Sequence, residues 1–415
     1  MERNNTTSAI TILVVATFAL LISNGLAIGG LPPFYKPIRE EFVAIAAIDA
    51  ARAETFIANS ANITFLMSGI FSLLGGWLLT RIRLKTLMAM GCVLLGGGLI
   101  IHSQAITEAM VYLARFMMGA SLGFVGVAPC VVLVSSWFDK KRGTAIGILL
   151  TGTSLGGFVL PLIAAPLIAN FGWRHAMLAV SSLVWVGLLP AILLFVRDYP
   201  TVVAGGSSRA TDADGKTFRE AIKTPVFWAL GLCAALVFYP IFVTSQQFIL
   251  YLQSAKIGVA PETAAFAQSA LFGISLGGKF IAGALSDKYG AVRVMAFCSL
   301  LMFLSSLVLL DLSAETALFF LLPFAIGYGG TFVLLQRLVA DLFGRREAGK
   351  ILGLITLIEV IGAVIGGRIT GYLADQAGGD YTYAFYGVTV AAGLAFAATV
   401  GVVVLSRVYN RKHAF

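Results

Sequence analysis

Long apolar runs separated by short polar connections fill almost the whole sequence. Each run holds about 20 or more mostly apolar residues, enough for an α-helix to cross the roughly 30 Å hydrocarbon core of a bilayer. Such runs occur at about twelve places: 9–33, 55–80, 86–104, 108–137, 143–170, 173–197, 223–253, 262–286, 291–313, 316–342, 347–374 and 382–407. The pattern therefore predicts an all-α membrane protein with twelve transmembrane helices.

One longer polar connection, residues 198–222, follows the sixth run and has the composition of a solvated linker. A short surface helix is expected near its end, at 217–222. The connection divides the chain into an N-terminal six-helix half (1–197), a cytoplasmic linker (198–222) and a C-terminal six-helix half (223–415). Paired six-helix halves are a transporter architecture, with the binding site near the midplane of the membrane.

Composition agrees with a membrane protein and argues against an enzyme. Hydrophobic residues make up 59% of the chain and charged residues 12%, and the mean hydropathy is +0.92; soluble proteins carry about 25% charged residues. The cysteines and histidines show no metal-ligand or catalytic spacing, and no phosphate-binding loop is present. We therefore expect no cofactor, no metal and no ATP-driven step.

The net charge of +9 does not indicate nucleic-acid binding, because the basic residues lie in short loops between apolar runs. Most of these loops fall on one side of the predicted topology. The opposite side holds only Lys36, Arg39, Arg52, Arg174 and Lys256. Since cytoplasmic loops are rich in Lys and Arg, we predict a multi-pass protein of the cell (inner) membrane with both termini in the cytoplasm.

Two charged residues interrupt the predicted membrane helices. Lys279 lies in the eighth run and Glu359 in the eleventh. A charge in hydrocarbon costs several kcal/mol, so each should face a water-filled cavity, a partner or a ligand. One reading is a site that binds an anion at Lys279 and a proton at Glu359, which lies roughly 15 Å along its helix from the cytoplasmic end. The other is a structural ion pair between neighbouring helices.

Other polar side chains at mid-membrane depth could contribute to this site. Each could hydrogen-bond a substrate or bond across helices; they are Asn24, Tyr239, Thr244, Gln247, Tyr328 and Gln336. We take Asn24, Tyr239, Gln247 and Tyr328, with Lys279, as the candidate substrate-binding residues. Arg337 and Arg368 lie near helix ends, where we expect their side chains to extend to the headgroups.

Two motifs carry a family resemblance. The loop after the eighth run reads Gly283-x-x-x-Asp287-Lys288-x-Gly290-x-x-Arg293, and the fourth run reads Arg115-x-x-x-Gly119-x-x-x-Gly123. Glycine allows close helix packing, the acid can cap or pair with a neighbouring helix, and the bases set topology. These stretches resemble the signature loop and the fourth-helix motif of the major facilitator superfamily, which implies the two-half fold.

The motifs leave some roles open. The first-half copy of the signature loop keeps a base at Arg81 but has Thr80 in place of the acid, so it lacks the carboxylate that an ion pair at this loop requires. Arg115 has either a structural role or a part in coupling. Glycines of the fifth run, including Gly152 and Gly156, are expected to pack against a neighbour and allow bending.

Three further stretches narrow the resemblance: residues 30–42 (GLPPFYKPIREEF), 136–148 (SWFDKKRGTAIGI) and 171–176 (FGWRHA). With a cation in the eighth helix, they resemble the monocarboxylate transporter and oxalate–formate antiporter branch. The resemblance places Lys279 where the branch has a substrate-binding arginine, although lysine lacks the bidentate fork of arginine. The eleventh helix carries Glu359 where the oxalate antiporter has a base, which argues against oxalate.

The sequence therefore predicts a secondary transporter, usually monomeric in this superfamily, of a small organic monocarboxylate of the lactate or pyruvate type. Alternating access coupled to protons is expected, with symport and anion exchange both open. The main alternative is a proton-coupled exporter of cationic or amphipathic compounds, which Lys279 disfavours because it repels cations. A non-transporting sensor on the same fold is a further alternative.

Overall fold

The computed structural model describes residues 2–79, 81–138, 142–196, 215–344 and 347–413. Within these ranges the structure is almost entirely helical, and the β pairing is a single isolated bridge between Gly215 and Gly344. The α-helices are α1 (Glu2–Asn24), α2 (Pro32–Ala44), α3 (Ala53–Leu78), α4 (Leu84–Ser103), α5 (Glu108–Val125), α6 (Val127–Trp137), α7 (Arg142–Ser182), α8 (Leu189–Phe195), α9 (Phe218–Ala221), α10 (Pro225–Leu252), α11 (Pro261–Tyr289), α12 (Ala291–Ser306), α13 (Ala317–Phe343), α14 (Ala348–Gln376) and α15 (Thr382–His413). Short π-helical segments follow α1 (Gly25–Gly29) and α7 (Leu183–Leu188), and 3-10 turns lie at Ala50–Arg52 and Leu307–Asp311.

Eleven helical runs in the described part of the chain are long and apolar enough to cross a membrane. The longest, Ala145–Phe195, has 51 residues and would extend about 76 Å as one helix, far more than a bilayer needs. The backbone of Gly172 breaks it, with φ 75° and ψ 161°, a conformation that favours glycine. This run therefore contains two of the predicted spans, 143–170 and 173–197, and the predicted twelve-helix fold class is confirmed.

The chain packs as two units. The first comprises Met1–Gly206 together with Ala260–Phe272, and the second comprises Ser207–Val259 together with Gly273–Phe415. The predicted linker 198–222 lies outside the described residues up to position 214. Thr80 of the first signature loop and residues 139–141 of the stretch before the fifth span also lie outside them.

The described end of the linker is anchored within the second unit. The amide of Lys216 donates to the carbonyl of Phe343 (2.8 Å), and the amide of Phe218 donates to a carboxylate oxygen of Glu347 (2.5 Å). Thr217 and Glu220 form a reciprocal capping box at the start of α9. The short surface helix predicted near 217–222 is therefore confirmed.

Glycines bring α5 against α3 in the first unit. A Cβ atom added at Gly119 would overlap the carbonyl of Thr64, and one added at Gly123 would overlap the carbonyl of Phe71. Small residues at four-residue spacing allow helix backbones to approach this closely. The close helix packing predicted from the glycines of the fourth-helix motif is confirmed.

The glycines of the fifth span have the same role against α1. A Cβ atom at Gly152 would overlap the carbonyl of Thr17, and one at Gly156 would overlap that of Leu21. The expected packing role of these glycines is confirmed.

A polar cluster fixes one end of the first unit. Glu41 on α2 accepts hydrogen bonds from the indole of Trp173 (2.6 Å) and from Nη2 of Arg174 (2.6 Å). Arg174 also donates to the carbonyls of Ser103 and Ala105, each at 2.8 Å. Two of the stretches that carry the branch resemblance, 30–42 and 171–176, therefore contact each other in space.

Candidate functional site

Two helices of the second unit cross closely at Lys279. A Cβ atom added at Gly278 on α11 would overlap the carbonyl of Ile326 on α13. One added at Gly329 on α13 would overlap the carbonyl of Ser275 and lie 2.9 Å from the amide nitrogen of Lys279. The backbone that carries Lys279 is thus held directly against α13.

The side chain of Lys279 contacts an aromatic ring of α13. Its Nζ lies 4.9 Å from the ring centroid of Phe332, a cation–π contact that stabilises a desolvated ammonium. The ring of Phe332 in turn lies 6.1 Å from that of Phe238 on α10. Lys279 itself is half-buried. We call Lys279, Tyr328, Phe332 and Phe238 the Lys279 site.

Tyr328 joins this group through the geometry of α13. It lies four residues before Phe332, so the two side chains lie next to each other on one helix face. It directly precedes Gly329, whose backbone meets that of Lys279. The structure therefore places the predicted residues Lys279 and Tyr328 in one neighbourhood. Phe332 and Phe238 were missed, because aromatic residues in apolar runs look the same as core residues in a sequence.

Glu359 lies on the face of α14 that packs on α10. It shares this face with Gly362 and Gly366, three and seven residues later. A Cβ atom added at Gly362 would overlap Ala235, and one at Gly366 would lie 2.8 Å from the ring of Tyr239. Glu359 itself is only 7% exposed.

Glu359 has no ion-pair or hydrogen-bond partner in the part of the chain that the structure describes. The alternative of a structural ion pair between Lys279 and Glu359 is therefore not found. A buried carboxyl without a partner is most readily held in its neutral form, so this position is suited to binding a proton.

Tyr239 and Gln247 both contact α14. The ring of Tyr239 packs on Gly366, and its hydroxyl lies 3.4 Å from the position of a Cβ atom at Gly387. Gln247 is buried and donates through Nε2 to the carbonyl of Gly367 (3.1 Å), while its Oε1 has no partner among the described residues. Tyr239 and Gln247 thus lie at the α10–α14 contact with Glu359.

Asn24 belongs to the first unit. It is half-buried at the junction between α1 and the following π-helical segment. Its Nδ2 is buried and makes no hydrogen bond to the described residues. A role for Asn24 in substrate binding stays a prediction.

The signature loop of the second unit forms a charge network. Nη1 of Arg337 donates to Asp287 (2.5 Å) and to the hydroxyl of Ser286 (2.8 Å), and its Nε lies 3.4 Å from Asp341. These acids and the hydroxyl hold the guanidinium of Arg337, whereas its extension to the headgroups stays a prediction. The network joins the ends of α11 and α13.

The remaining motif residues have simpler surroundings. Lys288 lies over the ring of Tyr289 at 5.3 Å, and Arg81 lies over the ring of Trp77 at 4.3 Å. Arg293 lies in the first turn of α12. This helix follows Gly290, whose φ is 87°. The expected close packing at Gly283 is wrong for this structure, since a Cβ atom there would meet no described atom within 4 Å.

We expect Asp287 and Arg337 to stabilise the fold only modestly, because both side chains are partly exposed. A double-mutant cycle with Asp287→Asn and Arg337→Gln should give a coupling of about 0.5–1 kcal/mol in thermal or denaturant unfolding. Strictly additive single effects would show that the ion pair contributes nothing.

The crossing at Gly329 makes a second stability prediction. Gly329→Ala should lower the free energy of unfolding by about 1–3 kcal/mol, because α11 and α13 must move apart to admit the methyl group. Gly277→Ala is the matched control, since a Cβ atom there meets nothing within 4 Å. Both changes gain the same helix propensity, so equal unfolding midpoints for the two variants would contradict the crossing geometry.

Comparison with known proteins adds a family match. The family model described as Major Facilitator Superfamily matches residues 13–257 and 240–414. Among curated proteins, the MFS transporter asaE of Aspergillus flavus is 28% identical over 74% of this chain and 70% of its own length. Monocarboxylate transporter 13 of Rattus norvegicus is 28% identical over 83% of this chain and 78% of its own length.

A solved structure shares the fold. It is a bacterial homologue of the human lysosomal transporter Spinster, crystallised in an inward-facing and unoccupied conformation. It superposes with a TM-score of 0.70 at 17% identity, covering 98% of this chain and 97% of that one. At this identity the likeness concerns the fold alone.

Proposed function

Because this chain belongs to the Major Facilitator Superfamily, we propose that it carries a small organic monocarboxylate of the lactate or pyruvate type across the cell membrane by alternating access, with proton coupling. The protein is a multi-pass membrane transporter and not an enzyme. Both termini in the cytoplasm, the inner-membrane location and a working monomer are parts of the proposal.

The observation that carries the proposal is the Lys279 site. A lysine within a membrane helix is costly unless it serves a ligand or partner, and here its ammonium lies over the ring of Phe332. An anion bound there would gain a charge-assisted contact in a medium of low dielectric constant. Anion binding would therefore explain why a lysine lies within a membrane helix.

The aromatic neighbours support a monocarboxylate in preference to a dicarboxylate. Phe332 and Phe238 offer apolar surface beside the ammonium, which suits the short apolar part of a lactate-like anion. A second carboxylate group against these rings would be desolvated without a counter-charge. The name of the rat relative, a monocarboxylate transporter, agrees with this substrate class.

Glu359 supports coupling to protons. A carboxyl buried without an ion pair can take up a proton at modest cost and release it when water or a cation approaches. Moving one proton with one monocarboxylate transfers no net charge, so the membrane potential would not oppose uptake. If Glu359 stays protonated throughout the cycle, the protein would instead exchange one anion for another without moving protons.

One observation favours a second function. Glu359 could instead serve a proton-coupled exporter of cationic or amphipathic compounds, because a buried acid attracts cations. Lys279 opposes this reading through charge repulsion. Competition experiments separate the two: lactate-like anions should inhibit transport under the proposal, and lipophilic cations should inhibit it under the alternative.

The test is uptake of a panel of radiolabelled small carboxylates into proteoliposomes that contain the purified protein, with and without an inward proton gradient. We expect uptake of at least one monocarboxylate that the gradient stimulates, and little uptake of oxalate. Protein-free liposomes measure passive entry of the protonated acids. If no carboxylate is taken up above that level, the proposal fails.

A further inference from the structure

Arg115 is buried in the first unit with unused hydrogen-bond donors. It lies eight positions into α5 and is 1% exposed. Its guanidinium carbon lies 5.2 Å from the ring centroid of Tyr35, and the two side chains also hydrogen-bond. Its Nε and Nη1 have no partner among the described residues. A buried arginine that leaves two nitrogens unsatisfied is costly, because each unpaired donor has lost its hydrogen bonds to water.

His102 adds a second unsatisfied group near Arg115. It is fully buried near the end of α4, and neither of its ring nitrogens bonds to a described residue. It lies within electrostatic range of both Arg115 and Arg174, and its ring lies 6.3 Å from that of Trp173. In either neutral tautomer one ring nitrogen carries a proton, so His102 offers a donor whatever its tautomer.

The arginines of this region differ in whether an acidic side chain pairs with them in the described chain. Arg39 pairs with Glu54, and Arg174 pairs with Glu41. Arg115 differs, because no Asp or Glu of the described chain lies within 4.0 Å of it. A permanently charged guanidinium in the membrane interior without an acid needs another source of negative charge.

We propose that Arg115, with Tyr35 and His102, forms a binding site for a small monovalent anion inside the first unit. The donors are the free guanidinium nitrogens and a ring N–H of His102, and the ligand is a halide ion or a single carboxylate group. The ring of Tyr35 and its hydroxyl, which hydrogen-bonds Arg115, together hold the guanidinium in place. The site is independent of Lys279, which lies in the other unit.

Thermal unfolding of the purified protein in detergent tests the site. The protein is prepared in gluconate, whose bulk suits it poorly to a buried cluster, and is titrated with chloride, bromide, acetate or lactate at constant ionic strength. A bound anion stabilises the folded state by mass action, so we expect a saturable rise of roughly 2–4 °C in the unfolding midpoint. A linear change with concentration, equal for all salts, would overturn the proposal.

Substitutions identify the residues on which the anion-dependent rise in the unfolding midpoint depends. Arg115→Met should remove it, and Lys279→Met, which removes the half-buried cation of the second unit, should keep it for chloride. If Arg115→Met does not fold, His102→Leu and Tyr35→Phe replace it, and each should weaken the apparent anion affinity at least about threefold. An unchanged chloride response in those of the Arg115, His102 and Tyr35 variants that fold would overturn the site.

The salts distinguish the two ligand sources. Stabilisation by chloride and bromide alone assigns the site to halide. Stabilisation by acetate and lactate that persists in Lys279→Met assigns it to a carboxylate. A carboxylate response that disappears in Lys279→Met belongs to the Lys279 site. Failure of carboxylate transport leaves the chloride titration interpretable, so the two proposals fail separately.

Discussion

Replacing Lys279 with methionine is expected to reduce monocarboxylate uptake at least about 30-fold. Methionine is an unbranched side chain only one atom shorter, which can still pack beside the ring of Phe332, but it removes the positive charge. Losing one partner of a buried, hydrogen-bonded charge pair costs about 2–5 kcal/mol, and each 1.4 kcal/mol is a factor of ten. The measurement is the initial rate of uptake into proteoliposomes at low substrate concentration.

Two variants control this experiment. Lys279→Arg restores a cation, and we expect it to recover a substantial part of the uptake, with the remaining difference set by the planar shape of the guanidinium. Lys223→Met removes an exposed lysine just before α10 and should leave uptake unchanged. Normal uptake by Lys279→Met would show that Lys279 does not bind the substrate. The proton-coupled exporter of cationic or amphipathic compounds would then be the better supported function.

The fold was predictable because the bilayer imposes two simple requirements. A spanning segment must be about 20 residues long, and its backbone groups must be satisfied within the helix. Both requirements are visible in a single sequence as long apolar runs. The break at Gly172 was also predictable, since the apolar stretch around it is too long for one crossing. Glycine spacing at Gly119 and Gly123 likewise predicted close packing against a neighbouring helix, which the structure identifies as α3.

The partners of the charged residues were not predictable. Phe332 stabilises the ammonium of Lys279, yet nothing in an apolar run separates it from other phenylalanines. Glu41 and Arg174 form an ion pair 133 positions apart in sequence, and Arg337 bonds Asp287 across 50 positions. Such contacts depend on which helix faces turn toward each other, and that information lies in packing.

Lys279 and Glu359 were only partly predictable from the sequence. Depth and charge alone identified Lys279 and Glu359 as unusual, but left open whether they neutralise each other. The structure places Lys279 at the α11–α13 crossing and Glu359 on the α14 face that packs on α10, with no ion pair to Glu359 in the described ranges. Because the two residues do not form an ion pair, the proposed anion and proton roles can belong to different residues.

Replacing Glu359 with glutamine is expected to abolish gradient-driven accumulation while preserving exchange. Glutamine has nearly the same shape as a protonated glutamate and cannot release a proton. An inward gradient of about two pH units supplies about 2.7 kcal/mol per proton, enough for roughly 100-fold accumulation of a substrate carried with one proton. The variant should show no accumulation above the level reached without a gradient.

Exchange distinguishes loss of coupling from loss of the transporter. Labelled substrate outside the liposome should still exchange with unlabelled substrate inside at a rate within about twofold of the wild type, because the neutral side chain permits the loaded carrier to change conformation without a proton being released. Glu262→Gln, at an exposed position in the first turn of α11, is the matched control and should keep both activities. Loss of exchange together with accumulation would mean that Glu359 supports the fold or binds substrate. Full accumulation by Glu359→Gln would place the proton on another group, and the carboxylate itself, entering as the neutral acid, would then be the carrier of the proton.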